Sequence, residues 1–121
     1  MSTIRSGVII FCDTSEPGIE VRAIPGFDYV DKLATFIPQV AFAIDGKLLF
    51  DATGRTAQVG NNLAAVSIRL DGDRAKTFTK AFMKAKKQIA VKDGISDKPH
   101  LLTADGSTKA GKTLMGCVEA Q

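Results

Sequence analysis

The apolar residues of this chain change their spacing once, near Asp73, and this change limits the available folds more than any other feature. Before Asp73 they recur at every second position, which is the spacing of strands with one buried face. After Asp73 they recur at three and four positions, which is the spacing of an amphipathic helix. The sequence therefore predicts an α+β domain in which the first half of the chain forms strands and the second half contains the helices that pack on them.

Two hairpins are predicted where alternating segments flank turn residues. Residues 7–13 and 19–24 predict two strands, joined through the turn residues of segment 15–18. Residues 40–44 and 47–51 flank the dipeptide Asp45-Gly46. A type I′ turn needs a positive φ at both central positions, so Asp-Gly is the strongest short indication of a hairpin in this chain.

Further strands complete the predicted sheet. Residues 56–59 and 63–70 predict two strands of a meander, and residues 99–104 predict a last strand before a final helix. The segment 25–38 fits either a short helix or irregular chain. The predicted architecture is a mainly antiparallel sheet of hairpins and a meander, packed by two helices, in a single domain over residues 1–121.

An amphipathic helix is predicted over residues 73–90. At about 100° per residue, four apolar side chains fall within about 60° of arc: Phe78, Phe82, Ala85 and Ile89. Lysines gather on the opposite side: Lys76, Lys80, Lys84 and Lys87. These lysines form either an ordinary solvated helix face or an anion-facing surface for phosphate, an acidic protein or lipid headgroups.

The composition excludes several classes of protein. The 16 Lys and Arg residues against 13 Asp and Glu give a net charge of +3, below the clustered charge of a dedicated nucleic-acid binder. A charged content of 24% with mixed signs differs from that of a disordered tail. Apolar runs of about five residues are too short for a transmembrane segment.

Residues 106–113 match the phosphate-binding pattern G-x-x-x-x-G-K-[ST] through Gly106, Gly111, Lys112 and Thr113. In a nucleotide-binding loop the backbone N–H groups would hold phosphates, while Lys112 would reach them and Thr113 would hold magnesium. The preceding segments predict hairpins instead of the β-α-β units that carry such loops. Nucleotide binding is therefore disfavoured, and we expect no cofactor and no metal site.

No catalytic residue is predicted. His100 is the one histidine, and no carboxylate or cysteine lies at ligand spacing from it. A general base needs a partner that orients it, and none is expected nearby. We interpret His100 as a surface or strand-edge residue and expect a protein that is not an enzyme.

Cys12 and Cys117 lie 105 positions apart, a separation unlike any compact metal-binding motif. They form either a long-range disulfide bond or two buried thiols. A disulfide bond would indicate an oxidising compartment. The first residues show no secretory signal, so either the protein is cytoplasmic or the sequence begins after the signal.

A three-part pattern occupies residues 81–117: a basic, alanine-rich run (AFMKAKKQIAV), a strand, and Gly106-Ser107 followed by Ala110, Leu114 and Cys117. It resembles the ending of small secreted bacterial proteins of the invasion-associated locus B type. The resemblance implies a periplasmic domain without catalytic residues. It also implies that Cys117 forms a structural disulfide bond, for which Cys12 is the available partner.

These observations leave three functional hypotheses. The leading one is a non-enzymatic binding or inhibitor-like module, periplasmic or secreted, that uses its sheet and loops to contact a protein or envelope component. The second is a small cytoplasmic interaction protein of phage or plasmid type, which binds nucleic acid or a nucleic-acid machine through the basic helix face. The third is a nucleotide-binding protein that uses residues 106–113.

Overall fold

Eight strands and two α-helices occur in residues 7–97, 99–104 and 107–121, the part of the chain that the computed structural model describes. The strands are β1 (Gly7–Cys12), β2 (Ile19–Ile24), β3 (Gln39–Ile44), β4 (Lys47–Thr53), β5 (Arg55–Val59), β6 (Leu63–Leu70), β7 (Gln88–Lys92) and β8 (His100–Thr103). The helices are α1 (Gly72–Lys84) and α2 (Ser107–Glu119), and a short 3-10 helix (Asp31–Thr35) lies within the undecided segment 25–38. The predicted α+β class is confirmed.

The strands form two antiparallel sheets, whereas the sequence predicted one. Sheet A has the order β1-β2-β6-β5, and sheet B has the order β4-β3-β7-β8. The two predicted hairpins, β1–β2 and β3–β4, are both present, and the two strands predicted as part of a meander, β5 and β6, pair with each other. The chain divides between two sheets because β4 passes through Gly54 into β5 of the other sheet, a change that hydrophobic periodicity does not encode.

The β3–β4 hairpin has the turn that the sequence predicted. Asp45 and Gly46 have φ angles of +52° and +83°, as a type I′ turn requires. The pairing of β3 with β4 begins immediately beside the turn, with Ile44 opposite Lys47. The prediction of a hairpin at this dipeptide is confirmed.

One apolar core lies between the inward faces of the two sheets and beneath α1. Its largest fully buried side chains include Ile19, Ile68 and Leu70 from sheet A, Phe42 and Ile89 from sheet B, and Phe78 from α1. Gly54 lies against this core: a Cβ atom there would be 2.8 Å from Val66 Cγ1 and 3.2 Å from Val40 Cγ2. A glycine therefore allows the chain to cross from one sheet to the other without displacing the core.

Helix α1 ends at Lys84, so the predicted helix over residues 73–90 is too long. Ala85 adopts an extended conformation, with φ −60° and ψ 136°. The chain then forms β7, which pairs with β3 and β8. Ile89 is consequently a buried strand residue, and Lys87 does not belong to the helix face on which the sequence placed it.

A hydrogen-bonded carboxylate explains this early end of α1. The side chain of Asp45 accepts hydrogen bonds from the backbone N–H groups of Lys86, Lys87 and Gln88, at 3.0, 2.6 and 3.0 Å. In a longer helix these N–H groups would donate to carbonyl oxygens one turn earlier. Asp45 of the β3–β4 turn therefore holds residues 86–88, between the end of α1 and the start of β7, by hydrogen bonds.

The two helices pack against each other in antiparallel orientation. Near the start of α2, a Cβ atom on Gly111 would lie 2.8 Å from the Cβ atom of Met83, close to the end of α1. At the opposite end, Val118 and Gln121 share a cleft with Lys76 near the start of α1. The close approach at Gly111 is possible because glycine has no side chain.

Two glycines of α2 provide a matched test of this packing. Gly111→Ala is expected to destabilise the protein by about 1–3 kcal/mol, because the added methyl group forces the helices apart. Gly116→Ala in the same helix meets no atom within 4 Å, so it is expected to stabilise the protein by about 0.5–1 kcal/mol through helix propensity. Urea unfolding followed by circular dichroism measures both free energies. Equal stability of Gly111→Ala and the wild type would contradict the close helix contact.

The carboxylate of Asp45 predicts a dependence of stability on pH. Its hydrogen bonds with Lys86 N–H, Lys87 N–H and Gln88 N–H hold the pKa of Asp45 below its ordinary value. A group with a lowered folded-state pKa stabilises the protein above its unfolded pKa, and this stabilisation disappears as the pH falls through the folded pKa. Asp45→Asn keeps a residue that tolerates positive φ but removes the charge, so we expect a lower melting temperature at neutral pH.

The difference in melting temperature between the wild type and Asp45→Asn is expected to narrow as the solution is acidified. Asp51→Asn is the control, because Asp51 is an exposed residue of β4 whose side chain forms no hydrogen bond or salt bridge among the described residues. It is expected to lower the melting temperature less than Asp45→Asn at neutral pH. A difference for Asp45→Asn that stays constant on acidification would refute a role for its charge.

Candidate functional site

The two cysteines form a disulfide bond between the end of β1 and the last turns of α2. The Cα atoms of Cys12 and Cys117 are 6.3 Å apart, within the usual range for disulfide bonds. Of the two alternatives that the sequence left open, the disulfide bond is therefore the one present. It joins the first strand to the final helix across 105 residues of chain.

The side chain of Gln121 reinforces this connection by binding the β1–β2 turn. Its Nε2 donates hydrogen bonds to the carbonyl oxygens of Gly18 and Asp13, at 2.8 and 3.0 Å, and its Oε1 accepts one from Gly18 N–H at 2.6 Å. Within the turn, the N–H and hydroxyl groups of Ser15 donate to the carboxylate of Asp13 and hold its pKa below the ordinary value. The C-terminal residue and the β1–β2 turn are thus held together by hydrogen bonds beside the disulfide bond.

The outward side of sheet A carries a patch of charged, polar and aromatic side chains, which we call the arginine face: Phe11, Glu20, Arg22, Arg55, Ser67 and Arg69. The strand register arranges them in two rows. One row contains Phe11, Glu20 and Arg69, and the other contains Arg22, Ser67 and Arg55. Phe11 is 41% exposed and the Arg69 side chain 42% exposed, so solvent reaches this face.

Two arginines of this face are held by contacts within the protein. Arg22 donates a hydrogen bond to Glu20 at 2.9 Å, and its guanidinium carbon lies 5.1 Å from the ring centroid of Phe11. Arg69 donates to the carbonyl oxygen of Pro17 at 2.6 Å and pairs with Glu16 at 3.2 Å. Both guanidinium groups are therefore positioned before any partner arrives.

Arg55 differs because its guanidinium group forms no hydrogen bond or salt bridge with any residue that the structure describes. It lies directly across from Ser67 and borders a cleft of about 580 Å³ with Thr53, Glu20 and Arg69. An arginine guanidinium group binds a carboxylate through two parallel hydrogen bonds. This cleft therefore offers an available cation beside a hydroxyl group and a second, already oriented arginine.

His100 has a carboxylate partner, contrary to the expectation from the sequence. Its Nε2 lies 2.7 Å from Oδ2 of Asp93, and its side chain is only 12% exposed. Asp93 is fully buried, and it also accepts hydrogen bonds from Ile95 N–H and from the N–H and hydroxyl groups of Ser96. Asp93 thus connects the turn after β7 to the start of β8. His100 is the first residue of the edge strand β8, in agreement with the strand-edge interpretation, but its side chain is mostly buried and the expectation that it lacks an orienting partner was wrong.

The residues of the phosphate-binding pattern have the geometry of a packed helix. Gly106 lies outside the described residues, while Gly111, Lys112 and Thr113 lie within α2. The Thr113 hydroxyl donates to the carbonyl oxygen of Lys109 one turn earlier, at 3.3 Å. Gly111 contacts Met83 of α1 instead of lining a loop. Gly111 therefore serves helix packing, while Lys112 and Thr113 lie exposed on α2.

Of the four lysines that the sequence placed on one helix face, three lie in α1 and one lies outside it. Lys76 lies at the start of α1 and lines a cleft of about 460 Å³ beside the β1–β2 turn. Lys80 and Lys84 lie in the second half of α1, and Lys87 lies in the segment that Asp45 binds. The structure thus keeps Lys76, Lys80 and Lys84 one turn apart along α1 and removes Lys87 from the helix face.

Exposed lysines from four segments gather where α1 ends, in a region that we call the basic end: Lys47, Lys80, Lys84, Lys86, Lys87, Lys109 and Lys112. The contact between Gly111 and Met83 brings the first turns of α2 beside the last turn of α1. The hydrogen bonds of Asp45 bring the β3–β4 turn to the same place. None of these seven ammonium groups forms a salt bridge within the described residues.

Sequence reasoning missed the arginine face and the Asp93–His100 contact. Strand alternation could have indicated that Glu20 and Arg22 point outward together, since they lie two residues apart in β2. Nothing in the sequence indicates that Arg55 and Arg69 join them. Likewise, Asp93 follows β7, a strand whose first three residues, 88–90, the sequence assigned to a helix.

Neither helix has the length and apolar character needed to cross a membrane, and no group of three or more potential metal ligands occurs, within the described residues. Comparisons of the chain with protein-family models, curated proteins and solved structures found no match. The site is therefore interpreted from its own geometry.

Loss of the disulfide bond is expected to destabilise the protein. Closing a loop of this length restricts the unfolded chain, so the double variant Cys12→Ala/Cys117→Ala should lose about 2–4 kcal/mol of unfolding free energy. Urea unfolding of the wild type in a reducing agent should show a similar loss, and the reducing agent should leave the double variant unchanged. A wild-type protein insensitive to reduction would contradict a stabilising bond.

Proposed function

We propose that this protein is a non-enzymatic binding module of an extracytoplasmic compartment, and that its arginine face contacts a protein partner that presents carboxylate groups. The observation that carries the proposal is the cleft beside Arg55, a guanidinium group without a partner in the described residues, next to the oriented Arg69. Arginine and aromatic residues are enriched among the side chains that contribute most to protein interfaces.

The composition of the arginine face favours a partner surface that carries both apolar side chains and carboxylate groups. Phe11 supplies an exposed aromatic surface, and Arg22 covers part of that ring while bonding to Glu20. Preformed side chains lose little conformational freedom on binding, which lowers the cost of association. A carboxylate of the partner would then accept the hydrogen bonds of the Arg55 guanidinium group.

The disulfide bond between Cys12 and Cys117 supports an oxidising compartment, because such bonds are rare in proteins of the reducing cytosol. The resemblance to secreted proteins of the invasion-associated locus B type points in the same direction. We therefore propose a periplasmic or secreted location. Free thiols in the exported protein, detected by mass spectrometry without reduction, would contradict this part of the proposal.

The environment of His100 supports a binding role in preference to an enzymatic one. Its carboxylate partner Asp93 is fully buried and also bonded to the turn residues Ile95 and Ser96. The Ser96 hydroxyl donates to Asp93, so it is not placed as a nucleophile activated by His100. This contact holds the chain between β7 and β8.

Site-specific crosslinking tests the proposed interface. A photoreactive phenylalanine analogue is incorporated at position 11, and in a control protein at position 36, where Phe36 is exposed to a similar extent on another surface. Illumination in an envelope extract should attach one protein to position 11 and none to position 36. Crosslinks of equal strength at both positions would contradict binding through the arginine face.

The captured protein, once purified, allows a quantitative test. Arg55→Gln is expected to weaken binding by about 10- to 30-fold, the effect typical of an interface arginine. Lys32→Gln removes the same charge from the 3-10 helix and should change Kd by less than about twofold. Isothermal titration calorimetry measures both constants, and wild-type affinity for Arg55→Gln would refute the proposed site.

A further inference from the structure

The outward side of sheet B carries an apolar row across all four of its strands, which we call the leucine row: Leu48, Ala43, Ala90 and Leu101. Leu48 in β4 is opposite Ala43 in β3, and Leu101 in β8 is opposite Ala90 in β7. The two leucines are 65% and 60% exposed. The row therefore presents two protruding aliphatic side chains, one on each edge strand, with small alanines between them.

The leucine row lies beside the basic end. Lys47 immediately precedes Leu48, and the next outward row toward the basic end contains Gln88 and Thr103. Successive outward rows of a sheet are about 7 Å apart. Lys86 and Lys87 come directly before Gln88, so ammonium groups border the apolar row on this side.

The charge of the basic end is strongly one-sided among the described residues. Within the described residues its seven lysines have one acidic neighbour, Asp45, whose carboxylate is bound by three backbone N–H groups and also attracts Lys87. Asp51 and Lys92 flank Ala41 in the next outward row, which lies on the side of the leucine row away from the basic end. The basic end, which borders the leucine row, thus attracts a partner with a high density of negative charge.

We infer that the leucine row and the basic end together form a docking surface for an anionic lipid bilayer. Aliphatic side chains enter the boundary between headgroups and acyl chains, and surrounding lysines attract anionic headgroups. Binding by either contribution alone is weak, and a combination of the two gives stable attachment. This surface is separate from the arginine face, so a bound bilayer leaves that face available.

The side chains of this surface favour a bilayer over a nucleic acid. Single-stranded nucleic acid is held by aromatic side chains on which bases stack. The three exposed phenylalanines of the described residues lie away from the basic end. Phe11 is in β1, and the backbone of Phe27 bonds to Ala64 in β6 of sheet A. Phe36 lines a cleft with Gly94 and Ile95 beyond the far end of β7. The two exposed leucines offer no stacking surface, but they suit insertion among acyl chains.

Vesicle flotation tests the inference. Vesicles of phosphatidylcholine alone are compared with an equimolar mixture of phosphatidylcholine and phosphatidylglycerol, at low and at physiological ionic strength. The wild type should float with the mixed vesicles, bind less at higher salt, and remain unbound with phosphatidylcholine alone. Absence of binding to the mixed vesicles at low salt would refute the inference.

Matched variants separate the two contributions. Lys84→Gln/Lys87→Gln should weaken partitioning by about 30-fold, whereas Lys32→Gln/Lys76→Gln removes the same charge elsewhere and should change it by less than about threefold. Leu48→Ser should weaken partitioning by about tenfold, and Ile37→Ser, at another exposed apolar position, should leave it unchanged. All four proteins are first checked by circular dichroism for wild-type melting.

Two further results would overturn the inference. One is an equal loss of vesicle partitioning in Lys84→Gln/Lys87→Gln and in the control Lys32→Gln/Lys76→Gln, which would indicate unspecific attraction by net charge. The other is binding of single-stranded DNA or RNA that depends on Lys84 and Lys87 and exceeds the binding to mixed vesicles, which would assign the surface to nucleic acid. Neither result bears on the crosslinking at position 11, so failure here remains distinguishable from failure of the proposed protein interface.

Discussion

The close contact between α1 and α2 determines where the functional surfaces of this protein lie. Because the backbone of Gly111 approaches Met83 directly, the helices pack in antiparallel orientation and each end of the pair meets a different hairpin. At one end Cys117 reaches Cys12, and the β1–β2 turn is bound by Gln121. At the other end, the lysines of α2 lie beside the lysines of the last turns of α1 and of the segment that follows it. This concentrates positive charge in one region, although the whole chain carries a net charge of only +3.

The two sheets bury their inward faces in one core and leave two outward faces with different chemistry. The outward face of sheet A is charged and partly aromatic, and two of its arginines are positioned by hydrogen bonds, Arg22 with Glu20 of the same strand and Arg69 with Pro17 of the β1–β2 turn. The outward face of sheet B is alanine-rich, with leucines at its edges. The two proposals use these faces separately, since a carboxylate-bearing protein suits guanidinium groups and an anionic bilayer suits leucines bordered by lysines.

Local patterns determined much of the fold. Alternation of apolar residues predicted the strands of sheet A, because a strand with one buried face must place every second side chain in the core. Asp45-Gly46 predicted a hairpin, because few residues other than these tolerate the positive φ angles of its turn. The helical spacing of Phe78 and Phe82 predicted α1 for the same kind of reason. Each of these signals concerns residues close together in the chain.

The sequence by itself thus determined the class of fold, two hairpins and the existence of two helices. Only the tertiary structure decided the end of α1, where Asp45 binds N–H groups some 40 residues away, and the passage of the chain between sheets at Gly54. It also decided the pairing of Asp93 with His100 and the joining of Lys112 to Lys84. The physical reason is that periodicity encodes which side of an element is buried, whereas contacts between distant elements depend on how the buried sides pack together.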